Sequence, residues 1–173
     1  MDPGSRKTGY GIVDVDGNRI THVTHGIIKV GDGDFTARLG LLFSDLSSLI
    51  EEFSPDCAAM EDVFVSRNVS SALKLGQARG ALIAACTHAG LDVTAYSPTS
   101  VKQAVVGFGR AEKEQVQHMI KMLLKPPSPL QEDAADALGV AVCHANHAGS
   151  SKRLAESVQK DNLLRKDNQR RLA

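Results

Sequence analysis

Apolar and polar positions alternate from Gly9 to Val15, and again from Arg19 to Val30 through Ile20, Val23, Ile27 and Val30. A period of two predicts strands, and Asp16-Gly17-Asn18 between them is turn chemistry, so the two runs form an antiparallel pair. The period then changes. Phe35, Leu39, Leu42, Phe43, Leu46, Leu49, Ile50 and Phe53 recur at helical spacing until Ser54-Pro55 stops the pattern. Cys57-Ala58-Ala59-Met60 is a short apolar run bounded by Asp56 and Glu61-Asp62, which reads as a buried strand ending on a carboxylate. Val63 to Ser71 is a polar connection. Ala72 to Ala89, rich in Ala and Leu, is a long helix carrying Gly76, Gly80, Ala84 and Ala85 as a small-residue face, which serves either packing on the chain's own sheet or contact with a second copy.

Asp92 to Tyr96 alternates as a further strand, and Ser97-Pro98-Thr99 opens a short helix over Val101 to Val106 with Ser97 or Thr99 as its cap. Gly107-Phe108-Gly109 breaks it. Lys113 to Leu124 places Val116, Ile120, Leu123 and Leu124 on one helical face, Pro126-Pro127-Ser128-Pro129 cannot continue that helix, and Asp133 to His144 forms the last core helix. Strands first, then strands alternating with helices, define an α/β domain in which a mixed sheet carries helices on both faces.

The chain's 173 residues fit one core, expected over 1–147, followed by a basic and flexible tail over 148–173. Hydrophobic residues at 42% and charged residues at 23% are ordinary globular usage. No apolar stretch approaches the roughly 20 residues of a membrane span, and the first residues lack the apolar core of a secretory signal, so a soluble cytoplasmic protein is expected. Cys57, Cys86 and Cys143 are far apart in apolar runs and read as small buried hydrophobes, not as disulfide or zinc partners. Net charge is zero but uneven: from Ser151 onward seven basic residues face three acidic ones, a +4 tail on a −4 body. Such a tail is either a phosphate-seeking arm or a solvated appendage.

Chemistry enters with the carboxylates. Asp133 and Asp136 lie three apart at a helix start and project from nearly one face. The helix dipole accounts for an acid there, but not for Asp136 among Ala134, Ala135, Ala137, Leu138 and Val140, where a buried charge needs a counter-charge. Glu61 ends a buried strand, and Asp2 precedes the turn-forming Pro3-Gly4-Ser5. Four such carboxylates without His or Cys suit Mg²⁺ or Mn²⁺, two of which can bridge a phosphate and activate water. Lys102 and Lys113 flank the Gly107-Phe108-Gly109 break, placed either for a scissile phosphate or simply in solvent. Phe64, in the loop after Glu61 with Arg67, Asn68 and Lys74 nearby, either stacks on an unpaired base or anchors its loop.

Several long strings then fall in one order: Asp2-Pro3-Gly4-Ser5-Arg6 with Thr8-Gly9-Tyr10-Gly11; Glu61-Asp62-Val63-Phe64; Ser71-Ala72-Leu73-Lys74-Leu75-Gly76-Gln77-Ala78-Arg79-Gly80; Val101-Lys102-Gln103-Ala104-Val105-Val106-Gly107; and Asp133-Ala134-Ala135-Asp136-Ala137-Leu138. From Asp2 to about His147 the chain closely resembles the RuvC family of bacterial Holliday-junction resolvases. The resemblance implies a ribonuclease-H-like fold and a homodimer that resolves four-way DNA junctions by paired symmetric nicks, in recombination and repair, alongside a branch-migration helicase. It implies Mg²⁺ dependence, two ions per subunit with Mn²⁺ able to substitute, and metal-activated water. On its pattern Asp2, Glu61, Asp133 and Asp136 bind metal and Lys102 and Lys113 assist at the phosphate. Phe64, Arg67, Asn68, Lys74 and Arg79 contact DNA, and the helix from Leu73 to Ala89 lies where the family dimerises.

One departure stands out. Family members carry several apolar residues before the first Asp, whereas here only Met1 precedes Asp2, so the central strand is expected to be truncated. Either the start lies within a longer strand or the enzyme is weakened. A junction-binding module that does not cut, and a related nuclease acting on other DNA, are the competing readings.

Overall fold

The computed structural model describes residues 1–62, 68–127 and 129–149. The first two strands, β1 (Lys7–Asp16) and β2 (Arg19–Lys29), form the expected antiparallel hairpin, with Gly17 at φ +60° giving the two-residue turn its positive dihedral. Helix α1 (Phe35–Phe53) starts where the Asp34 carboxylate accepts from the amides of Thr36 and Ala37, at 2.9 and 3.1 Å, and ends at Ser54, whose left-handed conformation and following Pro55 forbid another turn. Strand β3 (Ala58–Glu61) pairs in parallel with β4 (Val93–Tyr96), aligning Glu61 with Tyr96. Between them runs α2 (Val69–His88). It begins three residues before the Ala-rich run because the Asn68 side chain accepts from the Ser71 amide and caps it.

Ser97, with Pro98 behind it, caps α3 (Pro98–Val106), which closes at Gly107 with φ +95°. Helix α4 (Lys113–Leu124) opens on a Glu112 amide held by the Gln115 side chain and ends at Lys125 before the prolines. A fifth helix, α5, spans 132–149, longer than the Asp133–His144 expected. No helix among the described residues is long and apolar enough to cross a membrane.

The two ladders become one sheet through the first two residues. Met1 donates its amino group to the Ala59 carbonyl at 2.8 Å and accepts from the Glu61 amide at 3.0 Å, while Asp2 exchanges two 3.0 Å backbone bonds with Gly9. The resulting order is β2, β1, the Met1–Asp2 segment, β3, β4, mixed in direction.

Helices cover both faces. On one side Met1, Ala58 and Met60 pack with Leu42 and Leu46 of α1 and Ala78, Leu82 and Ala85 of α2. On the other, Val13, Ala59 and Tyr96 pack with Val101, Val116, Ile120, Leu138 and Val142 of α3, α4 and α5. Of the cysteines, Cys86 and Cys143 are buried, but Cys57 is exposed: it precedes β3 instead of lying within it.

Two glycines of β1 set how closely α5 approaches. A Cβ at Gly9 would run into the Asp133 carbonyl, and one at Gly11 would meet the Leu138 side chain at 2.6 Å and its amide nitrogen at 3.1 Å. Gly11→Val should therefore overpack this contact and destabilise the fold by about 1–3 kcal/mol. The expected result in urea unfolding is a lower midpoint at unchanged slope; an unchanged midpoint would show that α5 can stand off the sheet at no cost.

Candidate active site

Alternation along β3 turns Ala58 and Met60 toward α1 and α2, and therefore Ala59 and Glu61 toward α5. The same alternation sends Met1 to the first face and Asp2 to the second. Helix α5 brings Asp133 and Asp136 to this side one turn apart, and the close approach at Gly9, the pairing partner of Asp2, seats the start of α5 beside that carboxylate. The loop after Asp2 is pinned from behind. Arg38, buried on α1, donates to the Ser5 carbonyl at 3.1 Å, and Gly4 turns back against Thr8, whose hydroxyl bonds the Gly4 carbonyl at 3.1 Å.

Electrostatics records the convergence. Burial pushes the Asp2 carboxyl up to about 6, and Asp136 and Asp133 add to the rise against the Met1 amino group and Lys113. Burial likewise carries Glu61 to about 7, helped by Asp2, by Asp136 and by a hydrogen bond to the Asp2 side chain. Asp136 is also raised by burial, although Lys113 opposes the shift. That lysine begins α4, where a cation opposes the helix dipole. It is held there by Asp136, 2.8 Å away, and by Glu132; their hydrogen bonds outweigh burial and raise its own pKa. Lys113 thus supplies the counter-charge that the apolar surroundings of Asp136 demand.

The donor set is entirely oxygen, mutually repulsive and short of positive charge, which fits a hard divalent cation. In the present arrangement Asp2 and Glu61 share a hydrogen bond and Lys113 occupies Asp136. Among the described residues no three His, Cys, Asp or Glu side chains are placed to hold one ion together. Burial and mutual repulsion favour the protonated forms of Asp2 and Glu61, and the Lys113 ammonium balances Asp136.

The remaining candidates are less concentrated. Lys102 is half-buried on α3 and forms no ion pair among the described residues, so it does not join the carboxylates here. Lys74 lies over the Phe35 ring at 5.9 Å, and Arg79 pairs with Asp62 at 3.1 Å. Asn68 is the α2 cap, while Phe64 and Arg67 lie outside the described residues. Sequence reasoning missed Arg38 and the purpose of Gly9 and Gly11. The Gly-x-Gly spacing in a strand was the available signal, because a strand gains nothing from glycine unless another backbone comes close.

A mixed sheet clad on both faces, with acidic side chains from its central segments and from one covering helix, has the architecture of the ribonuclease-H-like nucleases. Residues 1–144 match the family model described as crossover junction endodeoxyribonuclease RuvC. A RuvC of Geobacter sp. strain M21 is 57% identical over 152 residues, covering 87% of this chain and 93% of that one, and one of Citrifermentans bemidjiense is 57% identical over 150, covering 86% and 92%. Among solved structures, Thermus thermophilus RuvC in complex with Holliday junction substrate superposes with a TM-score of 0.81 at 33% identity, covering 87% of this chain and 93% of that one. The yeast mitochondrial Holliday junction resolvase shares the fold, with a TM-score of 0.69 at 13% identity over 92% of this chain and 83% of that one. The chain belongs to the RuvC family, and it is a nuclease of a metal-dependent class.

The raised carboxyls carry a consequence for stability. Burial and the neighbouring carboxylates push Asp2 and Glu61 up to about 6 and about 7 in the folded protein, against ordinary values of 3.8 and 4.5. The folded state therefore binds their protons more tightly; this stabilisation is complete below the unfolded values and is lost as pH rises through the folded ones. Mg²⁺ should accordingly raise the melting temperature more at about pH 8, where it replaces lost protons, than at about pH 5, where it competes with them. An equal rise at both values would show that these carboxyls do not meet the ion.

Proposed function

We propose that this chain resolves four-way DNA junctions by paired symmetric nicks as a Mg²⁺-dependent homodimer, with Asp2, Glu61, Asp133 and Asp136 holding the ions. The observation that carries this reading is the coupling of carboxylates from three separate segments on one face of the sheet, where burial and mutual repulsion leave them in want of a cation. When bound, two such ions lower the pKa of a water nucleophile and polarise the phosphoryl oxygens. Manganese is expected to substitute, having the same preference for oxygen ligands.

The protein's own residues do the rest. Asp2 and Glu61, whose ionised forms burial and repulsion disfavour, serve as ligands once deprotonated. Lys113, displaced from Asp136, keeps its charge at neutral pH and turns to the phosphate, where it balances the negative charge that develops in the transition state. Lys102 approaches the same phosphate from α3 once DNA is bound. Phe64 stacks on a base at the junction, with Arg67, Asn68, Lys74 and Arg79 along the strands it opens. Residues 1–147 form the nuclease domain; the basic tail expected over 148–173 lies, beyond residue 149, outside the described residues. The protein works in the cytoplasm beside a branch-migration helicase.

The homodimer reading has its own support. Val69, Leu73, Gly76, Gly80 and Ala84 line one exposed stripe of α2; Val69 and Leu73 are 69% and 64% accessible, and a Cβ at Gly76 or Gly80 would meet nothing within 4 Å. Small residues flanked by exposed aliphatics are what close helix-to-helix contact with a second copy requires. Since Gly80 has open space around it, Gly80→Glu should leave the monomer folded and abolish the dimer. Light scattering after size exclusion reads this directly, and a variant still dimeric at the same concentration would place the interface elsewhere.

Cleavage is tested with four-way, three-way and linear duplexes at one salt concentration in Mg²⁺ and in Mn²⁺, since phosphate contacts alone do not distinguish these substrates. Paired nicks confined to the four-way substrate are expected. Asp136→Asn should reduce cutting by orders of magnitude while junction affinity in a gel-shift assay is retained. Junctions bound but left uncut by the wild type in both metals would overturn the enzymatic reading.

A further inference from the structure

The β3 and α5 pair that carries Glu61 and Asp136 bears a second group of reactive side chains at its other end. Cys57, just before β3, places its Sγ 3.2 Å from Nε2 of His144, and Nδ1 of the same ring lies 3.0 Å from the Tyr96 hydroxyl. His144 is eight residues beyond Asp136, about 12 Å along the helix, so this group is separate from the carboxylates. His147, one turn further on, lies against the same Tyr96 ring with centroids 5.2 Å apart. Asp56 and Asp92 lie near enough to Cys57 to act on its thiol, which gives the surroundings a negative potential.

A neutral imidazole has one N–H and one lone pair. In the tautomer whose Nδ1 donates to the Tyr96 oxygen, the lone pair of Nε2 faces Cys57 and meets only a weak S–H donor. An imidazole oriented through its other nitrogen by an oxygen acceptor is the state in which histidine ligates metals. Bond lengths of about 2.3 Å to sulfur and about 2.0 Å to nitrogen at a tetrahedral angle separate the two ligand atoms by about 3.5 Å, so these side chains need to part by only about 0.3 Å.

We propose that Cys57 and His144 form a binding site for a thiophilic divalent cation of the zinc class, with Tyr96 as the residue that orients the imidazole. Among the described residues no third ligand is in place, so water completes the coordination. Binding releases the Cys57 proton to solvent and leaves the thiolate on the metal. A hard cation such as Mg²⁺ does not compete, because thiolate and imidazole favour softer ions. The bound ion would clip α5 to the start of β3.

Accessibility supplies the test, because Cys57 is exposed while Cys86 and Cys143 are buried. A chromogenic disulfide reagent on the native protein in Mg²⁺ should modify one thiol, and stoichiometric Zn²⁺ should suppress that reaction. His144→Gln should remain reactive at one thiol and lose the protection, Tyr96→Phe should need more Zn²⁺ for the same protection, and Asp136→Asn should be protected like the wild type. Zn²⁺ without effect on the wild type, or equal protection of His144→Gln, would overturn the proposal. If His144→Gln unfolds, three thiols react instead of one. A thiolate-to-Co²⁺ charge-transfer band, expected in the wild type and absent in Cys57→Ser, then decides the matter, and a band that persists in Cys57→Ser overturns the site.

Discussion

Four backbone hydrogen bonds to Met1 and Asp2 join the β1–β2 hairpin to the β3–β4 pair. Neither pair would be stable alone, since two-stranded ribbons are marginal in water. Between them the two residues satisfy groups on both neighbours and give the helices a single sheet to cover. The same bonds place the Asp2 side chain between Gly9 and Glu61, so the geometry of the acidic cluster and the continuity of the sheet rest on one short stretch of backbone. At about 0.5–1.5 kcal/mol net apiece these bonds are individually modest, and their effect lies in what they hold in register.

That register exacts an electrostatic cost. Bringing Asp2, Glu61 and Asp136 together under partial burial raises the energy of every ionised state, and Lys113 offsets this at Asp136. Repulsion among these carboxylates is tolerable because the folded core on both faces of the sheet supplies the compensating stability.

Much of this was legible in the chain. Alternation located β1, β2 and β4, and apolar periodicity located α1 and α4, because each shows one face to a core and the other to water. Glu61 and the Asp133/Asp136 pair stood out as acids where apolar residues belong. Other features depended on partners distant in sequence. The start of α2 was hidden by its polar first turn, which is set by the Asn68 side chain and not by periodicity. Cys57 looked buried from its apolar neighbours, yet it sits one residue outside the strand that buries them. The counter-charge for Asp136 came from Lys113, twenty-three residues earlier, a pairing no local pattern encodes.

The contact of β1 with α5 is made of backbone. At Gly9 the helix is stopped by peptide atoms, not by a side chain that could be exchanged for a larger or smaller one. The spacing between the acids of the central segments and those of α5 therefore behaves as a fixed gauge. Hydrophobic residues elsewhere on the helix can vary in size and alter how firmly the domain holds together while the gauge keeps its setting. Tolerance to change in the surrounding core and exactness at the acidic cluster are in this way separated within a single strand and helix.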